Sequence, residues 1–270
     1  MKQSDIKLSI SNIAWLAEQD ETVYEYMHQC HFEGVEVAPT RIFPEDPYSK
    51  LNEAELWRRE LCDRHHFCVP SLQSIWYGRS ENIFTSEADR HVLFDYTCRA
   101  IDFAVTLGAT NLVFGCPRNR NRPENSNIDD AIHFFDAISD YAQKKGAVIA
   151  LEANPPIYHT NFINTTEEAL KMIETVGHPG MMLNLDLGTV IANGESVDVL
   201  KGYVHRIHHV HISEPGLKPI EKRDIHREVA RLLMDEGYRG FVSVEMGRGD
   251  SVSILADVMA YVGKVFREIV

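Results

Sequence analysis

Eight short runs of β-branched or aliphatic residues recur along the chain, each followed by a longer stretch with helical periodicity. The runs fall at Lys7–Ile10, Gly34–Val37, Val69–Gln73, Asn111–Phe114, Val148–Glu152, Met182–Asp186, Ile207–Ile212 and Phe241–Glu245. Helix-like segments between and after them include 53–66, 87–107, 128–145, 166–176, 219–236 and 252–268. Thr165 followed by Glu167 and Glu168 reads as a helix start, and Asn127 and Asp250 are placed to cap theirs. "LGAT", "KKGA" and "EGYRG" put a glycine where a helix should stop before the next strand. No Pro/Gly/Ser-rich linker or charge run divides the 270 residues, and 44% hydrophobic content is ample for one large core. The expectation is a single (β/α)8 TIM barrel of the α/β class, one domain over residues 1–270. A doubly wound open sheet is the structural rival, but no GxGxxG follows an early strand.

The stretch "VEMGRGD" ends the eighth run on an acid, Glu245. A carboxylate there is costly unless it is paired or bound to a cation. Strand ends upstream offer partners: Glu152 in "VIALEANP", Asp186 in "MMLNLDLG" and His211 in "IHHVHISE". These four are spaced by 34, 25 and 34 residues, close to one strand–helix unit each time, which places them on four adjacent strands at one rim. Strand alternation then turns Ala150, Asn184, His209 and Ser243 toward the barrel axis behind them. Leu151, Leu185, Val210, Val242 and Val244 face the helices, so the axis is expected to be polar on this side of the barrel only. A strand-end acid taken alone is more often a helix cap than a ligand. Three converging acids in one phase would repel one another unless a cation neutralised them. The oxygen-rich set with one imidazole suits one divalent metal, Mn²⁺ first, with Mg²⁺, Co²⁺ or Zn²⁺ as alternatives.

The net charge of −13 argues against nucleic acid or an anionic membrane as partner. Five cysteines without a CxxC leave a disulfide framework or zinc ribbon unsupported. "MKQSDIKLSI" has no apolar signal core and no run reaches membrane-spanning length, so a cytoplasmic protein is expected.

The four motifs "LEAN", "NLDLG", "HVHIS" and "VSVEM" together resemble the xylose isomerase-like TIM-barrel superfamily, over essentially the whole chain. "GCPRNR", "HISEP" and "VSVEM" look most like its sugar phosphate isomerase/epimerase group. The resemblance implies a metal held by Glu152, Asp186, His211 and Glu245. It also implies that Glu152 and Glu245 act as paired acid/bases, moving a proton next to a carbonyl through an ene-diolate. Asn184 and His209 would orient the ligands. Ketose 3-epimerases carry a histidine three residues after the sixth-strand aspartate, where this chain has Thr189, and an arginine where it has Leu217 and then Lys218. The substrate end must therefore be built otherwise. Arg118, Arg120 and Arg122 in "GCPRNRNRP", with Lys218, are candidates for an anionic substituent, and Trp15, Trp76 and Tyr77 for an apolar wall. Asp224 and His226 resemble the extra zinc ligands of endonuclease IV, but the earlier histidines of that three-zinc site are missing; His226 is kept as a substrate contact. The expected activity is metal-dependent isomerisation or epimerisation of a sugar or sugar derivative. A dehydratase of a keto-sugar or inosose-type substrate is the alternative, ahead of an endonuclease IV-like hydrolase or a non-catalytic sugar-binding barrel. A homo-oligomer is left open.

Overall fold

A computed structural model describes residues 5–267, so the last position of the 252–268 segment and both ends of the 1–270 domain lie outside the described residues. Eight strands form one parallel sheet: β1 Lys7–Ser11, β2 Gly34–Glu36, β3 Ser71–Leu72, β4 Asn111–Phe114, β5 Val148–Glu152, β6 Met181–Asp186, β7 Ile207–Ile212 and β8 Phe241–Val244. They run in the order β2-β1-β8-β7-β6-β5-β4-β3. The two edge strands meet through bridges Gly34↔Cys68 and Val37↔Leu72, with Val35 N–H donating to Cys68 O (2.9 Å) and Val37 N–H to Ser71 O (2.9 Å). The sheet is thereby a barrel, as the alternation predicts.

The jacket comprises α1 Asp20–Gln29, α2 Pro39–Ile42, α3 Leu51–His65, α4 Glu87–Thr106, α5 Ile128–Lys144, α6 Thr166–Val176, α7 Leu187–Asn193, α8 Asp224–Asp235 and α9 Ile254–Arg267. Thr165 caps α6 reciprocally: its hydroxyl accepts from Glu168 N–H (3.2 Å) and the Glu168 carboxylate accepts from Thr165 N–H (3.2 Å). Gly177 closes that helix at φ +65°, a conformation other residues adopt with strain. Asn127 caps α5 as expected. Three helices have no counterpart in the sequence segments, α1, α2 and α7. All three are short, and α1 buries only Val23, Tyr24 and Met27, too narrow a stripe to stand out. The segment 219–236 begins its helix only at Asp224. Glu214 takes up the preceding residues instead, accepting from Glu221 N–H (3.1 Å) and from Arg223 Nε and Nη2 (2.8 and 2.7 Å).

Leu8, Ile10, Leu151, Leu185, Val210, Val242 and Val244 are buried, and each such side chain contributes roughly 1.5–3 kcal/mol by leaving water. Most of the alternate positions are polar and equally buried, Val113 and Ala150 being exceptions, and polar ones occur around the whole barrel rather than on one side. β1 carries Ser9 and Ser11 inward, β2 Glu36, β3 Ser71 and β4 Asn111. Neighbouring strands pair several of these groups: Asn111 Nδ2 donates to Ser71 Oγ (2.9 Å), and Gln73 Nε2, just beyond β3, to Ser11 Oγ (2.8 Å). The polar axis is a network of short side chains, which a search for conspicuous acids passes over.

Candidate active site

Glu152 and Asp186 end β5 and β6, His211 is the penultimate residue of β7, and Glu245 follows β8. Glu245 still belongs to the ladder, because its N–H donates to Ile212 O at 2.9 Å. The register pairs Asp186 with His211 and His211 with Ser243, which brings the four side chains to one rim. His211 Nδ1 lies 3.2 Å from Glu152 Oε2 and 3.2 Å from Glu245 Oε2. Glu152, Asp186 and His211 each offer a ligand atom within 4.8 Å of the others.

Glu152, Asp186 and His211 are each braced from outside the cluster. Glu152 accepts from Asn184 Nδ2 at 2.6 Å and from Asn154 Nδ2 at 2.8 Å, one amide on each oxygen. Asp186 caps α7, its Oδ2 accepting from Thr189 N–H (2.8 Å) and Thr189 Oγ1 (2.7 Å), while Ser213 Oγ donates to Oδ1. Asp186 is thus a helix cap whose carboxylate also meets the cluster. Glu36 was not among the residues singled out in the sequence. It is fully buried, with Oε1 3.0 Å from His211 Nε2 and Oε2 accepting from Ser243 Oγ at 3.0 Å. Its signal was an acid between two valines in "GVEV", in phase with the axis. His209 Nε2 lies 3.3 Å from the same Glu36 oxygen but is not aligned to hydrogen-bond to it.

The electrostatics follow from crowding. Burial pushes Glu245 up to about 7 against the pull of His211, with Glu152 and Asp186 adding to the rise. Burial and the Glu152 charge also raise Asp186. Burial opposes the charged forms of Glu36 and His211 as well, yet their neighbours win. Glu36 is held well below the carboxylate range by His211 and His209, and His211 well above the imidazole range by Glu36 and Glu245. A proton and a divalent cation are alternative ways to neutralise such a cluster. The donor set fits a cation: ligands about 2.1 Å from a small octahedral ion sit about 3.0 Å apart. Two carboxylate oxygens lie at close to that separation from Nδ1.

A cavity of about 200 Å³ opens onto Glu152, Asp186 and Glu245, walled by Gln73, Asn154, Tyr158, Ser213 and Leu217 among others. Among the described residues neither lysine nor arginine lines it. A larger cavity of about 510 Å³, with Asn111, His208 and Tyr238 in its wall, lies at the opposite end of the strands, away from the acids.

Several sequence candidates sit elsewhere. Arg120 is fully buried and spends its guanidinium on the backbone: Nε donates to Gly115 O (2.6 Å), Nη1 to Phe162 O (2.5 Å) and Nη2 to Glu152 O (2.9 Å). Nη2 also fixes Asn154 through Oδ1 at 2.7 Å, so Arg120 braces Glu152 rather than meeting a substrate. Trp15 is buried and donates to Asp20 Oδ1 (2.7 Å); Trp76 is buried against Phe114 and Phe134 and donates to Thr97 Oγ1 (2.9 Å). Both are core residues and neither lines the cavity. His226 is buried in α8 with Nδ1 3.0 Å from Tyr261 OH, and Asp224 is 91% exposed beside Arg227. Arg122 is turned onto Ser126, and Tyr77 is exposed. Arg118 and Lys218 are exposed, each next in the chain to a wall residue, Pro117 and Leu217. Asn184 and His209 lie at the expected inward positions, Asn184 touching both Glu152 and His211.

The family model described as xylose isomerase-like TIM barrel matches residues 24–263. An inosose dehydratase of Clostridium botulinum (strain Alaska E43 / Type E3) is 30% identical over 95 residues, 32% of this chain and 32% of that protein. The chain therefore spans about a third of the length of this curated relative. Among solved structures, a D-psicose 3-epimerase in the presence of D-fructose superposes with TM-score 0.76 at 16% identity, covering 96% of each chain. A 3-keto-D-glucoside 4-epimerase of E. coli gives TM-score 0.72 at 16% identity, covering 95% of this chain and 98% of that one. At such identities the likeness is one of fold. Among the described residues no helix is long and apolar enough to cross a membrane.

Proposed function

The chain belongs to the xylose isomerase-like TIM-barrel family, and from that membership we propose an isomerase or epimerase of a small sugar or sugar derivative, dependent on one divalent metal ion. The observation that carries this reading is the pair of glutamates, Glu152 and Glu245, meeting one imidazole nitrogen at 3.2 Å and opening into a common cavity. Glu152, Asp186, Glu245 and His211 Nδ1 would hold the ion, with Mn²⁺ the best match to three carboxylates and one imidazole. A bound divalent ion supplies Lewis acidity toward a carbonyl oxygen and so acidifies the neighbouring C–H.

The chain's own groups do the rest. Glu245, with 13% of its side chain open to the cavity, removes the proton. Glu152, pinned by two asparagine amides, returns a proton from its own side. Delivery to the opposite face of the same carbon is epimerisation, and delivery to the neighbouring carbon is isomerisation. Asp186 has hydrogen bonds on both oxygens and serves to hold charge rather than to move protons. Tyr158 OH accepts from Gly216 N–H at 2.9 Å, linking the loops after β5 and β7 at the cavity wall and limiting water entry. The absence of lysine and arginine from that wall among the described residues favours a neutral substrate, and 200 Å³ favours a monosaccharide-sized one over a nucleotide-linked sugar.

The test is solvent exchange. Incubation with neutral keto-sugars in D₂O and Mn²⁺ should place deuterium at one carbon, and Glu245→Gln should abolish the exchange while the fold persists. Exchange at the normal rate in Glu245→Gln would remove Glu245 as the base. A dehydratase is the second reading, favoured by the matched inosose dehydratase. The same proton would leave first and a β-hydroxyl would follow, seen as loss of water by mass and a new ultraviolet chromophore.

A further inference from the structure

Glu36 stands outside the four proposed ligands, yet it is buried against one of them. Strand β2 delivers it by alternation: Val35 and Val37 face the jacket and Glu36 faces the axis. Its Oε1 is 3.0 Å from His211 Nε2, and its Oε2 is fixed by Ser243 Oγ at 3.0 Å. A carboxylate can only accept at that nitrogen. On the other edge of the ring, Asn184 Nδ2, a donor, lies 3.2 Å from His211 Nδ1. The Glu36 contact therefore keeps a proton on Nε2 and leaves Nδ1, the nitrogen facing Glu152 and Glu245, for a cation.

We propose that Glu36 is a positioning residue that locks His211 in the Nε2–H tautomer and so presents Nδ1 as the imidazole ligand of the divalent cation. This rests on the metal-dependent reading above. The ring is held along a line from Ser243 through Glu36 to His211, each member buried. Partners of this kind orient the ring and raise its basicity, and their loss typically weakens metal binding about 10- to 100-fold. A competing arrangement exists, since Glu36, His209 and His211 also bring ligand atoms within 4.8 Å of one another. A cation there would take His211 Nε2, the nitrogen whose N–H the proposal assigns to Glu36. The two arrangements therefore exclude each other at that atom.

Calorimetric titration of the metal-free full chain with Mn²⁺ and ¹⁵N-histidine spectra of the Zn²⁺-loaded protein decide between them. The expected result is one equivalent of Mn²⁺, bound about 10- to 100-fold more weakly by Glu36→Gln. A His211 Nε2–H resonance should be present in the Zn²⁺-loaded wild type and displaced in the variant. A merely structural role for Glu36 would lower thermal stability and leave that resonance in place. Should Glu36→Gln not fold, Ser243→Ala carries the same test, with a smaller weakening in the same direction. Unchanged affinity in both variants, an Nδ1–H tautomer, or two equivalents with both His209 and His211 Nε2 shifted would overturn the proposal. Failure of the wild type to bind Mn²⁺ at all would overturn both it and the metal-dependent reading. Normal Mn²⁺ binding without sugar turnover would leave this inference standing and remove only the activity.

Discussion

Glu152 and Glu245 share the His211 Nδ1 neighbour but are held to different degrees. Glu152 is clamped by Asn184 and Asn154, and Asn154 by Arg120, whereas the Glu245 carboxylate has His211 beside it and no such amide clamp among the described residues. The Glu245 value near 7 lies above the ordinary 4.5, so the stability tied to its neutral form is full below about 4.5 and lost as pH rises through about 7. A cation that needs the charged form binds better over the same window. Mn²⁺ affinity is expected to rise between pH 6 and about 8 with release of a proton, checked by calorimetry in buffers of different ionisation enthalpy. Arg120 and Arg118 make a second contrast. Arg120→Met leaves buried carbonyls without donors and is expected to cost more than about 3 kcal/mol in denaturant unfolding, whereas Arg118→Ala should leave both Tm and KM unchanged. The four acid and imidazole candidates were legible because charged groups stand out at the ends of apolar strands. Arg120 was misread because its partners, the carbonyls of Phe162 and Ile163, lie about 40 residues away and meet it only when the loops after β4 and β5 close together. Glu36 was passed over because β2 is only three residues long, too short for its alternation to announce itself.

Strand ends aim these side chains, and small residues beside them make the room. Gly115, just beyond β4, has space for no side chain: a Cβ there would come within 2.8 Å of Glu152 Oε1. Because the obstructed atom belongs to a braced carboxylate, Gly115→Ala is expected to displace Glu152, lowering kcat and metal affinity together while the circular-dichroism spectrum stays that of a barrel. Thr165→Ala, at the capping box of α6, is its counterpart. It should lose about 1 kcal/mol of stability with kcat unchanged, since that cap touches none of the site. Strand and helix positions were largely readable, β4, β5 and β7 to the residue, because β-branched or aliphatic residues mark each of these strands. The exceptions have local causes. Helix α7 is a seven-residue turn set by the Asp186 cap, and the late start of α8 reflects Glu214 holding Glu221 and Arg223 in an irregular segment. Neither contact has a sequence period to reveal it.

A barrel whose axis is lined by serine, asparagine, histidine and acid side chains cannot draw on its centre for the apolar burial that fills an ordinary one. Its stability must come from the jacket between strands and helices, and from whatever neutralises the rim. That couples the ion to the whole fold. A ligand that binds only the folded state adds about 2.7 kcal/mol at a hundred times its Kd. In domains of 150–250 residues each kcal/mol moves Tm by about 2–4 °C, so Mn²⁺ should raise Tm by several degrees. The sign of the pH dependence distinguishes a rim-bound ion from nonspecific binding to an acidic surface. Ordinary surface carboxylates are already charged well below pH 6, so binding to them would change little between pH 6 and 8. A rim-bound ion must displace the proton that burial keeps on Glu245, so its Tm increment should grow as pH rises through about 7. Glu245→Gln, which has no proton to displace, should flatten that pH dependence and reduce the increment, whereas substitution of the exposed Glu60 should do neither. Thermal melts with and without Mn²⁺ at three pH values measure both, and an increment independent of pH in the wild type would place the ion elsewhere than at Glu245.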